Sequence, residues 1–190
     1  MGVAESWERI ADWYRRNNLE FRPLPGASEE QIQALEVAIG MRLPEDLRES
    51  YRIHDGTAEG SNLLYYGEVQ TLARIEKTMR MYREMQEEEE FGVEEPERMR
   101  PEGAIKPYSW SPLRIPVTDN CGVHVLIDLD PDAAGTMGQA LDFQYAAGPM
   151  VVLAESWSDW LAKVADRLED GTYVFNEESG YVEPPASRSG

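Results

Sequence analysis

The chain's 190 residues include 36 Asp and Glu against 18 Lys and Arg, a net charge of −18, with 42% hydrophobic residues and a single cysteine. Enough apolar side chains are present to bury a core, which excludes a disordered chain. Nucleic-acid binding is excluded as a main activity because it needs clustered Lys and Arg, and the longest basic run here is Arg15-Arg16. The lone Cys121 excludes an internal disulfide or a multi-thiol metal site.

The N-terminus, Met1 to Ser6, has neither a basic stretch nor an apolar one, and no later apolar run reaches bilayer length. A cytoplasmic protein in a reducing compartment, with no membrane partner, is expected. Met1-Gly2 with Ser6 fits the loose myristoylation pattern but lacks the adjacent basic residues.

Trp7, Ile10, Trp13 and Tyr14 recur at helical spacing and predict an amphipathic helix over about 4–16, its aromatic stripe turned to the core. Pro23-Leu24-Pro25-Gly26 breaks it. Ser28 and Gln31 then form a capping-box pattern ahead of Ile32, Leu35 and Ile39, which predicts a second helix ending at Gly40. Pro44 followed by Glu45 and Asp46 starts a third, short helix that stops at Asp55-Gly56. Leu63 to Tyr66 reads as a strand. Ile75, Met79, Tyr82 and Met85 predict a helix from Leu72 to the run Glu87-Glu88-Glu89-Glu90, whose acids oppose the helix dipole and fray into an acidic loop, Phe91 to Gly103.

The period then changes. Ile115 to Val117, Val123 to Leu129, Ala140 to Tyr145 and Met150 to Ala154 read as strands separated by turn residues, with Val123, Val125 and Ile127 on one face of the second and His124, Leu126 and Asp128 on the other. Ser156 and Asp159 cap a last helix through Trp157, Trp160, Leu161, Val164 and Leu168. The expected architecture is α+β, an antiparallel-rich sheet packed by N-terminal helices and a C-terminal helix. One domain is expected over 1–183, with an acidic insertion at about 85–103 and a flexible tail at 184–190.

The sequence shows no assembled catalytic motif. Asp128-Leu129-Asp130-Pro131-Asp132 offers three carboxylates, but Ala133 stands where a calcium loop turns on glycine and Gln139 where it needs a bidentate Glu. A solvated turn is the better account. Gly135 to Gly138 lacks the Lys of a phosphate loop, and neither His54 nor His124 neighbours a nucleophile motif. Cys121 is expected to be a partly buried lone cysteine and Met79 core filler, with the roles of Met85 and Met99 open. No cofactor and no metal are expected, and the weight moves from an enzyme to a binding module.

The ordered series Pro25-Gly26-Ala27-Ser28-Glu29-Glu30-Gln31-Ile32, Leu43-Pro44-Glu45-Asp46-Leu47, His54-Asp55-Gly56, Ile115-Pro116, Asp119-Asn120-Cys121-Gly122, Ile127 to Pro131 and Ser156-Trp157 with Trp160-Leu161 resembles the SUKH superfamily. That superfamily includes bacterial toxin-immunity proteins and yeast cell-wall-synthesis regulators. The resemblance implies a SUKH-like α+β fold and a non-enzymatic, protein-binding role. The leading expectation is an immunity protein that neutralises a cognate toxin, such as a nuclease, with the acidic surface meeting a basic toxin domain. The alternative is a regulatory adaptor binding an endogenous protein, as in cell-wall-synthesis regulation. Candidate partner contacts are Glu87, Glu88, Glu89, Glu90, Glu94, Glu95, Asp128, Asp130 and the aromatics Tyr65 and Tyr66, taken as exposed.

Overall fold

The computed structural model describes residues 2–88 and 101–185. Helix α1 spans Val3–Arg16 and buries Trp7, Ile10, Trp13 and Tyr14, the stripe its periodicity predicts. It lies along α5 (Trp157–Glu169), where Arg9 reaches Asp166 at 2.7 Å and Glu169 at 2.6 Å. Helix α2 (Glu29–Ile39) opens on a complete capping box: the Gln31 backbone N–H donates to Ser28 Oγ, and the Ser28 N–H donates to Gln31 Oε1. Ser28→Ala removes one of these bonds and is expected to cost about 1 kcal/mol of stability in urea unfolding.

Helix α3 (Glu45–Ile53) places Arg48 in the interior, where Glu29 and Glu36 of α2 pair with it. A buried guanidinium persists only with such partners. The stretch Leu63 to Tyr66, expected as a strand, is instead a 3₁₀ turn over Leu64–Tyr66, with Leu64 at φ 58°. Strand β1 (Glu68–Val69) follows, and then α4 (Leu72–Glu87), which buries Leu72, Ile75, Met79 and Tyr82.

Strands β2 (Arg114–Pro116), β3 (Thr118–Asp119), β4 (Val123–Asp128), β5 (Gln139–Gln144) and β6 (Gly148–Ala154) follow. Four of them form an antiparallel sheet in the order β2-β4-β5-β6, while β3 pairs with β1. The alternation read in β4 is realised. Val125 and Ile127 join the main core with α1 and α5, and Leu126 packs on the other face with Leu141, Phe143, Tyr82, Ile105 and Trp110. That second face is therefore roofed by the segment around Ile105 and Trp110 together with the end of α4.

A hairpin of β7 (Val174–Asn176) and β8 (Tyr181–Glu183) closes the described chain. Among the described residues no helix is long and apolar enough to cross a membrane. The acidic insertion expected at about 85–103 falls mostly outside the described residues, as do residues 186–190 of the expected tail.

Candidate functional site

Among the described residues, the candidate contacts do not form one surface. Tyr66 is 2% exposed, against Trp160, and Tyr65 is half-buried, stacked on Tyr66 at 4.2 Å and donating its O–H to the Tyr66 oxygen at 2.8 Å. The expectation that both are exposed is corrected: the 3₁₀ turn tucks the pair beneath the sheet and α5. Asp128 is also corrected, from solvated turn to buried carboxylate, because the β2–β4 register sets it opposite Arg114. Asp130 is half-buried and paired with Lys106 at 2.6 Å. Glu87 and Glu88 are exposed at the end of α4, while Glu89, Glu90, Glu94 and Glu95 lie outside the described residues.

Beside that acidic helix end lies an apolar groove of about 300 Å³. Thr78, Met81, Tyr82 and Met85 of α4 form one wall at helical spacing, Cys121 and Gly122 with Asp119 form another, Tyr145 closes it, and His124 borders it from β4. Met81 is 45% exposed and Tyr145 40%. Tyr145 stacks on Tyr82 with centroids 6.2 Å apart and planes 20° apart. Met79, by contrast, is buried filler as expected.

The opposite wall is held by the turn between β3 and β4. Asn120 and Val123 exchange backbone hydrogen bonds at 2.9 and 3.0 Å, and the two central residues have positive φ, 51° at Cys121 and 89° at Gly122. This is the mirror-image turn that matches strand twist, in which Asn or Gly is the usual first residue. At its apex Cys121 is exposed, which corrects the partly buried cysteine expected. The Asn120 side-chain amide donates to the Tyr65 carbonyl at 2.7 Å. At Gly67 a Cβ would stand 2.1 Å from the Asp119 carbonyl oxygen, so only glycine allows the 3₁₀ turn to seat against the hairpin.

His124 is 1% exposed. Its Nδ1 faces the Thr118 carbonyl and must donate to it, which leaves Nε2 to accept the Tyr82 O–H at 2.6 Å. The ring is the neutral tautomer. Burial holds its pKa below 6.5, although the Thr118 carbonyl and Asp119 pull the other way. His54, whose ring nitrogen meets the Leu24 carbonyl at 3.1 Å, is lowered by burial too.

Both histidines thus have folded pKa values below the unfolded one. Their contribution is fully present above about pH 6.5 and is lost as the pH falls from there through the folded values. Urea midpoints measured downward from about pH 8 are expected to decline below about pH 6.5, and His124→Gln to flatten the decline. A midpoint independent of pH in that window contradicts the neutral, buried assignment.

The three aspartates do not converge. Asp128 is committed to Arg114, Asp130 to Lys106, and Asp132 accepts from the Ala133 N–H at 2.7 Å. Among the described residues no group of three or more His, Cys, Asp or Glu is placed to hold a metal ion. Sequence reasoning had no route to the groove, because its walls come from separate elements. The available signal was Met81, one turn before Met85 and outside the stripe of Ile75, Met79, Tyr82 and Met85.

A family model described as the SMI1/KNR4 family (SUKH-1) matches residues 26–163. The Schizosaccharomyces pombe cell wall biosynthesis/cell cycle regulator smi1 is 30% identical over 93% of this chain and 38% of its own length. The Neurospora crassa glucan synthesis regulatory protein is 26% identical, over 93% of this chain and 40% of that protein. The Saccharomyces cerevisiae cell wall assembly regulator SMI1 is 24% identical, over 95% and 44%. The chain therefore spans about two fifths of the length of these curated relatives. They overturn the expectation of a toxin antidote: the relatives are named as regulators of wall and glucan synthesis, which matches the alternative stated beside it.

Proposed function

The chain belongs to the SMI1/KNR4 family (SUKH-1), and from that premise we propose that it is a non-enzymatic regulatory adaptor that binds an endogenous protein in the control of cell-wall synthesis. The observation that carries the binding role is the groove between α4 and the β3–β4 turn, where Met81, Met85 and Tyr145 place apolar surface at an accessible position. Methionines adapt to irregular partner surfaces, and tyrosine is enriched at the centre of interfaces. The groove is backed by buried hydrogen bonds through Tyr82 and His124. These bonds hold the floor of the groove in place, which lowers the entropic cost of binding against it.

The relatives' roles in wall and glucan synthesis support the process, and membership of a family of named regulators supports a non-enzymatic role. The exposed thiol of Cys121 suits the reducing, cytoplasmic setting that belongs to this proposal.

The test is photo-crosslinking in the native cells, with a photoreactive residue placed at position 81 of the full chain and the adducts identified by mass spectrometry. Adducts to proteins that synthesise wall polysaccharide, or that control its synthesis, are expected. Recovery of no protein adduct, or only of proteins unrelated to the cell envelope, overturns the proposal.

A further inference from the structure

We infer that the groove receives a linear, amphipathic segment of the partner, whose apolar anchor enters between Met81, Met85 and Tyr145 and whose Lys or Arg residues lie over Glu84 and Glu88. This rests on the adaptor role above and specifies the chemistry of its partner.

Size comes first. About 300 Å³ is the lower end of the range for ligand cavities, room for a large apolar side chain rather than a dinucleotide-sized molecule. Charge then gives the segment its direction. Residues three apart on a helix are neighbours, so Glu84 flanks Met81 and Glu88 flanks Met85, and both acids are exposed. The last turn of α4 contains no basic residue, and the negative end of the helix dipole adds to the acids. At the other end of the groove Lys77 precedes Met81 by one turn, while Arg74 is engaged by Glu68 and Asp119.

One end of the groove therefore favours cations and the other does not. A second copy of this chain, at net charge −18, or an anionic membrane would bring like charge to the acidic end. A basic segment is steered to it.

The chain's single cysteine provides a footprint, because Cys121 lines the groove and is exposed. Two fluorescein-labelled peptides are compared on the 190-residue chain, sharing one Leu-Phe anchor, one followed by a run of lysines and the other by a run of glutamates. The lysine peptide is expected to bind, to slow alkylation of Cys121, and to shift the ¹³C-methyl resonances of Met81 and Met85. Charge reversal by Glu84→Lys with Glu88→Lys is expected to weaken it about tenfold, and Lys77→Glu to strengthen it. All three positions are exposed, so folding is retained.

Equal binding of the glutamate peptide, or binding that leaves Cys121 alkylation unchanged, overturns the inference. Failure of the adaptor role reads differently. If the charge-reversed chain crosslinks its native partner as well as the unmodified chain does, this inference falls and the adaptor role stands. If the lysine peptide binds but no envelope-related partner is crosslinked in cells, the adaptor role falls and the groove's preference stands.

Discussion

Replacing Arg114 by Ala is expected to destabilise the protein by about 3–5 kcal/mol, because it leaves a buried carboxylate without its counter-charge. Arg114 is 1% exposed and Asp128 0%. They are register partners on β2 and β4, and Asp128 is in turn the partner of Gln139 on β5, so the three side chains form a row across one face of the sheet. Asp128 accepts from the Gln139 amide at 3.2 Å and from the Asp130 N–H at 3.1 Å. Arg114 donates to the carbonyls of Tyr108 at 3.1 Å and Lys106 at 2.7 Å. The row therefore fastens the segment that carries Ile105 and Trp110 over the sheet.

Burial lowers the Arg114 pKa despite Asp128, a sign that the pair stands in a poorly solvated place. Asp128→Asn retains hydrogen-bonding capacity and is expected to cost less than Arg114→Ala. Replacing both by apolar residues recovers only part of the loss, because the two carbonyls then lack donors. Urea unfolding at constant m-value measures each step. A loss under about 1 kcal/mol for Arg114→Ala would mean that water or another cation reaches Asp128.

That row shows where sequence reading stops. Locally, Asp128-Leu129-Asp130-Pro131-Asp132 has the composition of a solvated turn, and the last two acids are partly exposed or exposed. The partner that buries Asp128 sits on a neighbouring strand, and strand register is a tertiary fact. Tyr65 and Tyr66 fail for the same reason: an aromatic pair before a glycine can face either way until Gly67 seats it against the β3–β4 turn. What was legible is what neighbours in the chain determine. The Ser28 and Ser156 caps and the alternation in β4 each act over a few residues, and each stands as read. The β7–β8 hairpin, two strands of three residues each, was missed. The groove is the extreme case, a surface whose walls share no local pattern.

The same distinction bears on α1, which lies before the segment that the family model matches yet contributes to the core. Trp7→Ala is expected to cost about 3–5 kcal/mol, the usual range for truncating a buried tryptophan. Trp7 is 3% exposed, stacks on Phe21 at 6.1 Å and meets His54 edge-on at 5.6 Å. Its indole N–H donates to Ser50 Oγ of α3 at 2.9 Å, so one side chain joins α1 to α3 by packing and by a buried hydrogen bond. Trp7→Phe retains most of the packing and loses the donor, and is expected to cost about 1–2 kcal/mol. A cycle with Ser50→Ala isolates the hydrogen-bond part. Because Trp7 lines no part of the groove, the folded fraction of Trp7→Ala is expected to bind the lysine peptide with unchanged affinity while its urea midpoint falls. An unchanged midpoint would mean that α1 contributes nothing to stability. A lowered peptide affinity in the folded fraction would mean that α1 sets the position of α4, and that the fold and its binding surface are coupled through the core.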